Sequence, residues 1–307
     1  MNQSRNKIAK DITVAMTTFN GGDYLIEQLD SILSQTLLPT EFIVCDDGST
    51  DNTIAILKEY EQKGLIRLYL NKTKLGVICN FKKVVSLAKP YNYIALADQD
   101  DIWLPNKLKT LQEKLYALEQ NKQEHPCAVY SDLILVDKHK KVLNKSFWNE
   151  LNHDVHEHCF QTLLFGNFVT GCSMMFNDAM KQQLLRMPED NILHDVWMAF
   201  IGNTIGNISR HAEPLVLYRQ HEKNVTYQEG NRKISKWELR RKRFNRIFLK
   251  NDYLEHEYKI AARFLEFYEN ELSSIHKRQV RCFLFTKKLP YLFKEIALKI
   301  FFWGKWK

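Results

Sequence analysis

Tyr93-Ile94-Ala95-Leu96-Ala97-Asp98-Gln99-Asp100-Asp101-Ile102-Trp103 decides how this chain reads. An unbroken apolar run ends in three carboxylates within four positions. A short continuous apolar run reads as a strand buried on both faces. Carboxylates clustered at the end of such a strand make a poor core and a good seat for a cation. Magnesium and manganese take oxygen ligands, usually only one or two carboxylates, and leave positions for substrate phosphates and water. Taken alone, the triplet reads equally as a solvated acidic turn ahead of the helix that Pro105 opens.

The residues upstream separate these readings. Ile12-Thr13-Val14-Ala15-Met16 reads as a strand, and 24–33 as a helix with Leu25, Leu29, Ile32 and Leu33 on one face. Phe42-Ile43-Val44-Cys45 is a second strand, Asp51 an N-cap for the next helix, 65–70 a third strand and 81–88 a helix. The strand 93–97 and a helix over 105–121 complete a β-α-β-α rhythm, which implies a mostly parallel sheet flanked by helices. Ligands of such sheets sit beyond the carboxyl ends of the strands. Thr17-Thr18-Phe19-Asn20-Gly21-Gly22, Asp46-Asp47-Gly48-Ser49 and Asp98-Gln99-Asp100-Asp101 all fall there. Three polar clusters on one edge make a site.

The chain has 307 residues, enough for one large domain or a domain with an appendage. Six scattered cysteines, none in a CxxC pair, read as reduced thiols in a cytoplasmic protein. The polar first residues carry no signal-peptide pattern, and no run of about 18 apolar residues is present to span a bilayer. The net charge of +8 is uneven. From Asn231 onward there are 20 Lys and Arg against 8 Asp and Glu, a net of +12, so the remainder is −4. That shift, with Gly230, sets a boundary between 1–227 and a basic helical region, 228–307.

Thr17-Thr18-Phe19-Asn20-Gly21, Asp46-Asp47-Gly48-Ser49, Asp98-Gln99-Asp100-Asp101-Ile102-Trp103, Asn167-Phe168-Val169-Thr170-Gly171-Cys172, His194-Asp195-Val196-Trp197 and Tyr218-Arg219-Gln220-His221 occur in that order. Together they resemble glycosyltransferase family 2, the inverting nucleotide-sugar transferases of GT-A fold, and within it the bacterial rhamnosyltransferase-like members. The resemblance covers roughly 10–227. It implies that Thr18, Phe19 and Asn20 contact the nucleotide, with Gly76 and Asn80 on a second loop. It implies that Asp47 accepts a hydrogen bond from a pyrimidine base, and that Asp98 faces the ribose or the metal's water shell. Asp100 would bind a divalent cation, Mn2+ or Mg2+, that bridges the diphosphate. Asp195 matches the catalytic base, and His221 a position beside the diphosphate. Inverting transfer is one in-line displacement, which needs a base for the acceptor hydroxyl and charge compensation on the departing diphosphate. The donor implied is dTDP-rhamnose, and the acceptor a glycan or lipid-linked glycan of a bacterial surface polysaccharide. Asp101, Thr170, Gly171 and His194 are placed near the sugar or acceptor. Many family members carry an acidic residue where this chain has His194.

Bland readings stand beside these. Trp103 and Trp197 suit sugar stacking or the core; His221 suits a ligand or a hydrogen-bonded structural histidine. His153, His156, His158 and Cys159 crowd into seven residues, which fits a solvated loop better than a zinc site. Arg240-Arg241-Lys242-Arg243 and the amphipathic 287–307 segment fit an anionic membrane surface, hence peripheral attachment at the inner face, or a helix packed on its own domain. No nucleic-acid-binding motif is present. Within the same family the alternative donor is a UDP-hexose or UDP-N-acetylhexosamine. A nucleotidyltransferase would want a basic Gly-rich loop after the first strand, and here that loop has no Lys or Arg. A non-catalytic carbohydrate-binding, membrane-docking protein is the third class.

Overall fold

A computed structural model describes residues 10–120, 124–150, 159–189, 192–222, 254–289 and 291–301. Its first half follows the predicted rhythm: β1 (Ile12–Thr18), α1 (Leu25–Leu33), β2 (Glu41–Asp46), α2 (Thr53–Gln62), β3 (Arg67–Leu70), α3 (Val77–Ser86) and β4 (Tyr93–Ala97). Then come β5 (Ile102–Trp103), α4 (Lys107–Glu119), β6 (Cys127–Asp137), β7 (Val142–Asn144) and the short α5 (Phe147–Glu150) and α6 (Phe160–Leu163). β8 (Met174–Phe176), α7 (Asp178–Arg186), α8 (His194–Thr204) and β9 (Asn207–Gln220) close the sheet-bearing part. Among the described residues three helices follow: α9 (Glu255–Tyr268), α10 (Ser274–Thr286) and α11 (Tyr291–Phe301).

The strands join in the order β3-β2-β1-β4-β8-β6-β9-β5, with β7 on β6. β1, β2, β3 and β4 are mutually parallel. The expectation of a mostly parallel sheet holds for that half; the whole sheet is mixed. β8 runs antiparallel to both β4 and β6, and β5 antiparallel to β9. The two new directions matter. An antiparallel β8 starts where β4 ends, so the residues before Met174 arrive at the acidic edge. The β5–β9 pairing carries the end of β9 to the same place.

Strand alternation sorts the core into two layers. Ala15, Ile43, Ile94 and Leu96 pack on one face with α3, α7 and α8. Val14, Met16, Phe42, Val44, Tyr93, Ala95 and Ala97 pack on the other with α1, α2 and α4. Both faces are covered, which is why β4 is apolar throughout and fully buried. The first layer also contains Leu254, Tyr258, Phe264 and Tyr268 of the α9 region and Val280 and Phe283 of α10. The basic C-terminal helices therefore share a core with the sheet. The boundary at 227, the 240–243 basic run and the 153–158 histidines lie outside the described residues.

Candidate active site

Register places the three polar clusters side by side. Thr18 pairs with Asp46, and Met16 with Ala97, so the loops after β1, β2 and β4 leave one edge together. Buried Asp46 knits two of them. Its carboxylate accepts from Thr18 Oγ1 (2.8 Å), Gly48 N (3.1 Å), Ser49 N (2.8 Å) and Ser49 Oγ (2.6 Å). Asn20 adopts the left-handed backbone, φ 49°, which asparagine tolerates. Its N–H donates to Ser49 Oγ (2.8 Å), and its Oδ1 accepts from Thr50 N (2.8 Å). Gln99 grips the peptide of Phe19 from the β4 loop, accepting from its N–H (2.8 Å) and donating to its carbonyl (3.1 Å). A Cβ on Gly21 would lie 2.3 Å from Gln99 Cδ, so glycine is what lets these loops close.

These bonds redistribute the expected nucleotide contacts. Thr18 Oγ1 and Asn20 Oδ1 are engaged by the protein itself. Asn80 is buried, donating to Cys45 O (3.0 Å) and accepting from Asn71 Nδ2 (2.9 Å). Asp47 accepts from Asn71 Nδ2 (2.9 Å), Leu75 N (2.7 Å) and Gly76 N (2.8 Å). Its carboxylate shapes the 71–76 segment, and two oxygens with about four acceptor positions leave room for one further donor. Gly76 sits at φ 80°, a conformation that favours glycine. Phe19 is the open aromatic of the group, with Lys74 Nζ 3.6 Å from its ring centre. Neither Lys74 nor Gln99 was singled out by the sequence, because their roles depend on loops that meet only in the fold.

At the end of β4, Asp98 and Asp100 keep part of their surface open, while Asp101 is buried. Gln28 Nε2 donates to the Asp98 carbonyl (2.9 Å). Burial pushes the Asp98 carboxyl up, and neighbouring Asp100 and Asp195 push it further. His221, just past β9, brings Nε2 to 3.0 Å from Asp100 Oδ2. A carboxylate oxygen and an imidazole nitrogen held this close suit Mn2+ better than Mg2+, with Asp98 next along the same loop. The alternative grouping of Asp98, Asp101 and Cys172, with ligand atoms within 4.8 Å of one another, suits such an ion poorly. Burial holds the Cys172 thiol well above its ordinary range, so it stays protonated.

Asp195 lies in the first turn of α8, with Oδ1 accepting from Val196 N (2.7 Å). Burial raises its carboxyl to about 6, against the lowering effect of the N–H groups of Val196, Gly171 and its own residue. Its charge is felt at Asp98. The candidate base and the candidate cation edge thus share one site. Thr170 and Gly171 reach it from the start of β8, with Thr170 Oγ1 donating to Ser173 Oγ (3.0 Å).

The other residues expected near the sugar or acceptor are buried. Trp103 is buried in the second core layer, its ring 3.3 Å from the equally buried Lys107 ammonium. Trp197 is fully buried against Phe264, Phe267 and Tyr268 of α9. Asp101 accepts from Arg219 N (3.3 Å), and its Oδ2 has no hydrogen-bond partner among the described residues. His194 is buried on the ring of Phe81, 4.1 Å between centroids. A Cβ on Gly171 would stand 2.6 Å from His194 Nε2, so glycine there makes room for the imidazole.

Known proteins resemble this chain in sequence or fold. A dTDP-rhamnosyl transferase of Shigella flexneri, RfbG, is 28% identical over 68% of this chain and 72% of its own. An uncharacterised protein of Mycobacterium tuberculosis is 28% identical over 75% of this chain, and the match spans 64% of that relative, less than two thirds of its length. Among solved structures, S. aureus TarS in complex with UDP-GlcNAc superposes with a TM-score of 0.55 at 17% identity, covering 95% of this chain and 89% of that one. The likeness is one of fold, and it is the GT-A arrangement that the sequence led us to expect. Residues 13–182, more than half of the chain, match the model of Glycosyl transferase family 2, and the protein belongs to that family.

Proposed function

We propose that this protein is an inverting, divalent-cation-dependent glycosyltransferase that moves L-rhamnose from dTDP-rhamnose to a hydroxyl of a glycan or lipid-linked glycan in bacterial surface polysaccharide synthesis. The observation that carries the reading is the joint placement of Asp98, Asp100 and His221 at one strand edge with Asp195 within electrostatic reach. The rhamnose preference rests on the similarity to the Shigella rhamnosyl transferase.

In this reading the loops after β1 and β2 hold the nucleoside, with Phe19 offering a ring face. Asp100 and His221 would hold the cation, Mn2+ or Mg2+, and Asp98 the ribose or the ion's water. When bound, the ion offsets charge on the departing diphosphate. Asp195 takes the proton of the acceptor hydroxyl as that oxygen bonds to the anomeric carbon and the bond to the diphosphate breaks on the opposite face. One displacement inverts the configuration without a covalent enzyme intermediate.

The acceptor's lipid would draw the protein to the membrane. Among the described residues no helix is long and apolar enough to cross one. Lys277, Arg278 and Arg281 line a groove of α10 with Phe285, and Phe293, Ile296 and Ile300 are exposed on α11. That combination suits a surface of anionic lipid.

Calorimetry with dTDP, UDP and GDP, with and without Mn2+, is the test. Mn2+-dependent binding that favours dTDP supports the rhamnosyl reading. Preference for UDP moves the donor to a UDP-hexose or UDP-N-acetylhexosamine. A folded protein that binds none of the three overturns the catalytic reading.

A further inference from the structure

Arg219 is 2% exposed and lies two residues before His221, near the end of β9. Its guanidinium points in three directions at once. Nε donates to the carbonyl of Asp100 (2.9 Å), Nη1 to the carbonyl of Lys138 (3.0 Å), and Nη2 to the carboxylate of Glu27 on α1. Its backbone N–H donates to Asp101 Oδ1 (3.3 Å). The guanidinium carbon also stands 4.6 Å from the ring centre of Tyr24, and that ring lies 4.7 Å from the imidazole of His221. Glu27 is held in turn by Lys140 (2.7 Å), from the turn that follows β6. One buried cation thus joins the acidic loop, α1, the β6–β7 turn and β9.

The geometry points to a specific role. We infer that Arg219 is a positioning residue that presets Asp100 and His221 as a pair for a divalent cation. It fixes Asp100 through the main-chain carbonyl of that residue, and His221 through the short tether of β9 and the shared Tyr24 ring. A planar guanidinium with five N–H donors in a rigid fork can do this, whereas a lysine ammonium on a flexible stem cannot. The inference rests on the cation reading proposed above and adds to it the residue that sets the cation's ligands.

The experiment measures dTDP affinity of the full chain in EDTA and in Mn2+, together with Mn2+ binding followed by electron paramagnetic resonance. Wild type defines the gain that Mn2+ confers, and Asp100→Asn should remove it. Arg219→Gln should lower Mn2+ affinity roughly 10-fold or more, as loss of a residue that orients a metal ligand does, and leave the EDTA affinity within about twofold. Arg219→Lys should not restore the gain. A wild-type gain that Arg219→Gln leaves intact overturns this inference while the cation reading stands. So does full rescue by lysine, which would reduce the role to charge alone. A wild type without any Mn2+ gain removes the cation reading and this inference with it. If Arg219→Gln does not fold, Glu27→Gln releases one arm of the fork from the surface side. It should weaken Mn2+ binding measurably, and an unchanged value overturns the inference.

Discussion

The carboxylate of Asp47 and the N–H of Gly76 are joined by a 2.8 Å hydrogen bond, and the adjacent N–H of Leu75 reaches the other carboxylate oxygen at 2.7 Å. Two consecutive backbone donors on one anion organise the turn that leads into α3. Hydrogen bonds to a charged group are each worth roughly 1.5–3 kcal/mol. Asp47→Asn presents an amide with one acceptor oxygen to donors that now use both. It should lower the thermal midpoint and weaken dTDP, UDP and GDP binding by similar factors. A loss confined to the pyrimidine nucleotides would support the base-reading role that the resemblance implies for Asp47.

Asp195 makes two linked predictions. Replacement by Asn keeps the shape of the first turn of α8 and removes the proton acceptor. Transfer should fall by about 10²–10⁴-fold, the usual contribution of a general base, with nucleotide affinity nearly unchanged. Its carboxyl is raised to about 6 and must be ionised to act. The rate should therefore be full above that pH and fall tenfold per unit below it. A profile of kcat/KM between pH 5 and pH 8, those limits spanning about one unit below and two above the group, reads this directly. A flat profile, or transfer that survives in the Asn variant, assigns the base elsewhere.

His194 predicts a stability change with pH. Burial lowers its folded pKa from 6.5 to about 4, so the ring is neutral in the fold and protonates earlier in the unfolded chain. The stability tied to the neutral ring is complete above 6.5 and declines as pH falls toward 4. At about 1.4 kcal/mol per pH unit the full loss is on the order of 3 kcal/mol. Denaturant unfolding across that window, in wild type and in His194→Gln, separates this residue from the carboxylates. Equal acid sensitivity in the two proteins would show that His194 is not its source.

Much of this was legible in the chain. β4 announced itself because a strand covered on both faces has to be apolar throughout, and its acidic end because carboxylates there cannot be core. The parallel half followed from hydrophobic period. The antiparallel β8 did not, since Met174–Phe176 is a strand of three residues, too short to show a period. The two tryptophans were ambiguous for a similar reason. A tryptophan next to a carboxylate looks the same in sequence whether its ring meets a sugar or a phenylalanine about seventy positions away. Arg219 lay inside a quoted motif, but its partner Glu27 is 192 positions distant, and no local pattern links them. Gln99 sat within the acidic motif, yet its grip on Phe19 exists only once β1 and β4 are neighbours.

Trp197 carries the last prediction, which concerns how the C-terminal helices are attached. Its ring meets Phe264 edge-on at 5.2 Å and lies 5.8 Å from both Phe267 and Tyr268. It belongs to the α8 that also presents Asp195, so the packing of α9 and the placing of the base depend on the same helix. Deleting a buried aromatic costs about 3–5 kcal/mol, because the lost burial and the cavity left behind add together. Trp197→Ala should lower the unfolding free energy by that amount and make the 254–289 region cleavable by protease under native conditions. Trp197→Phe keeps a ring against α9 and should recover most of the stability. If the alanine variant stays protease-resistant and loses sugar transfer alone, the tryptophan acts on substrate, as the acceptor-contact reading expects.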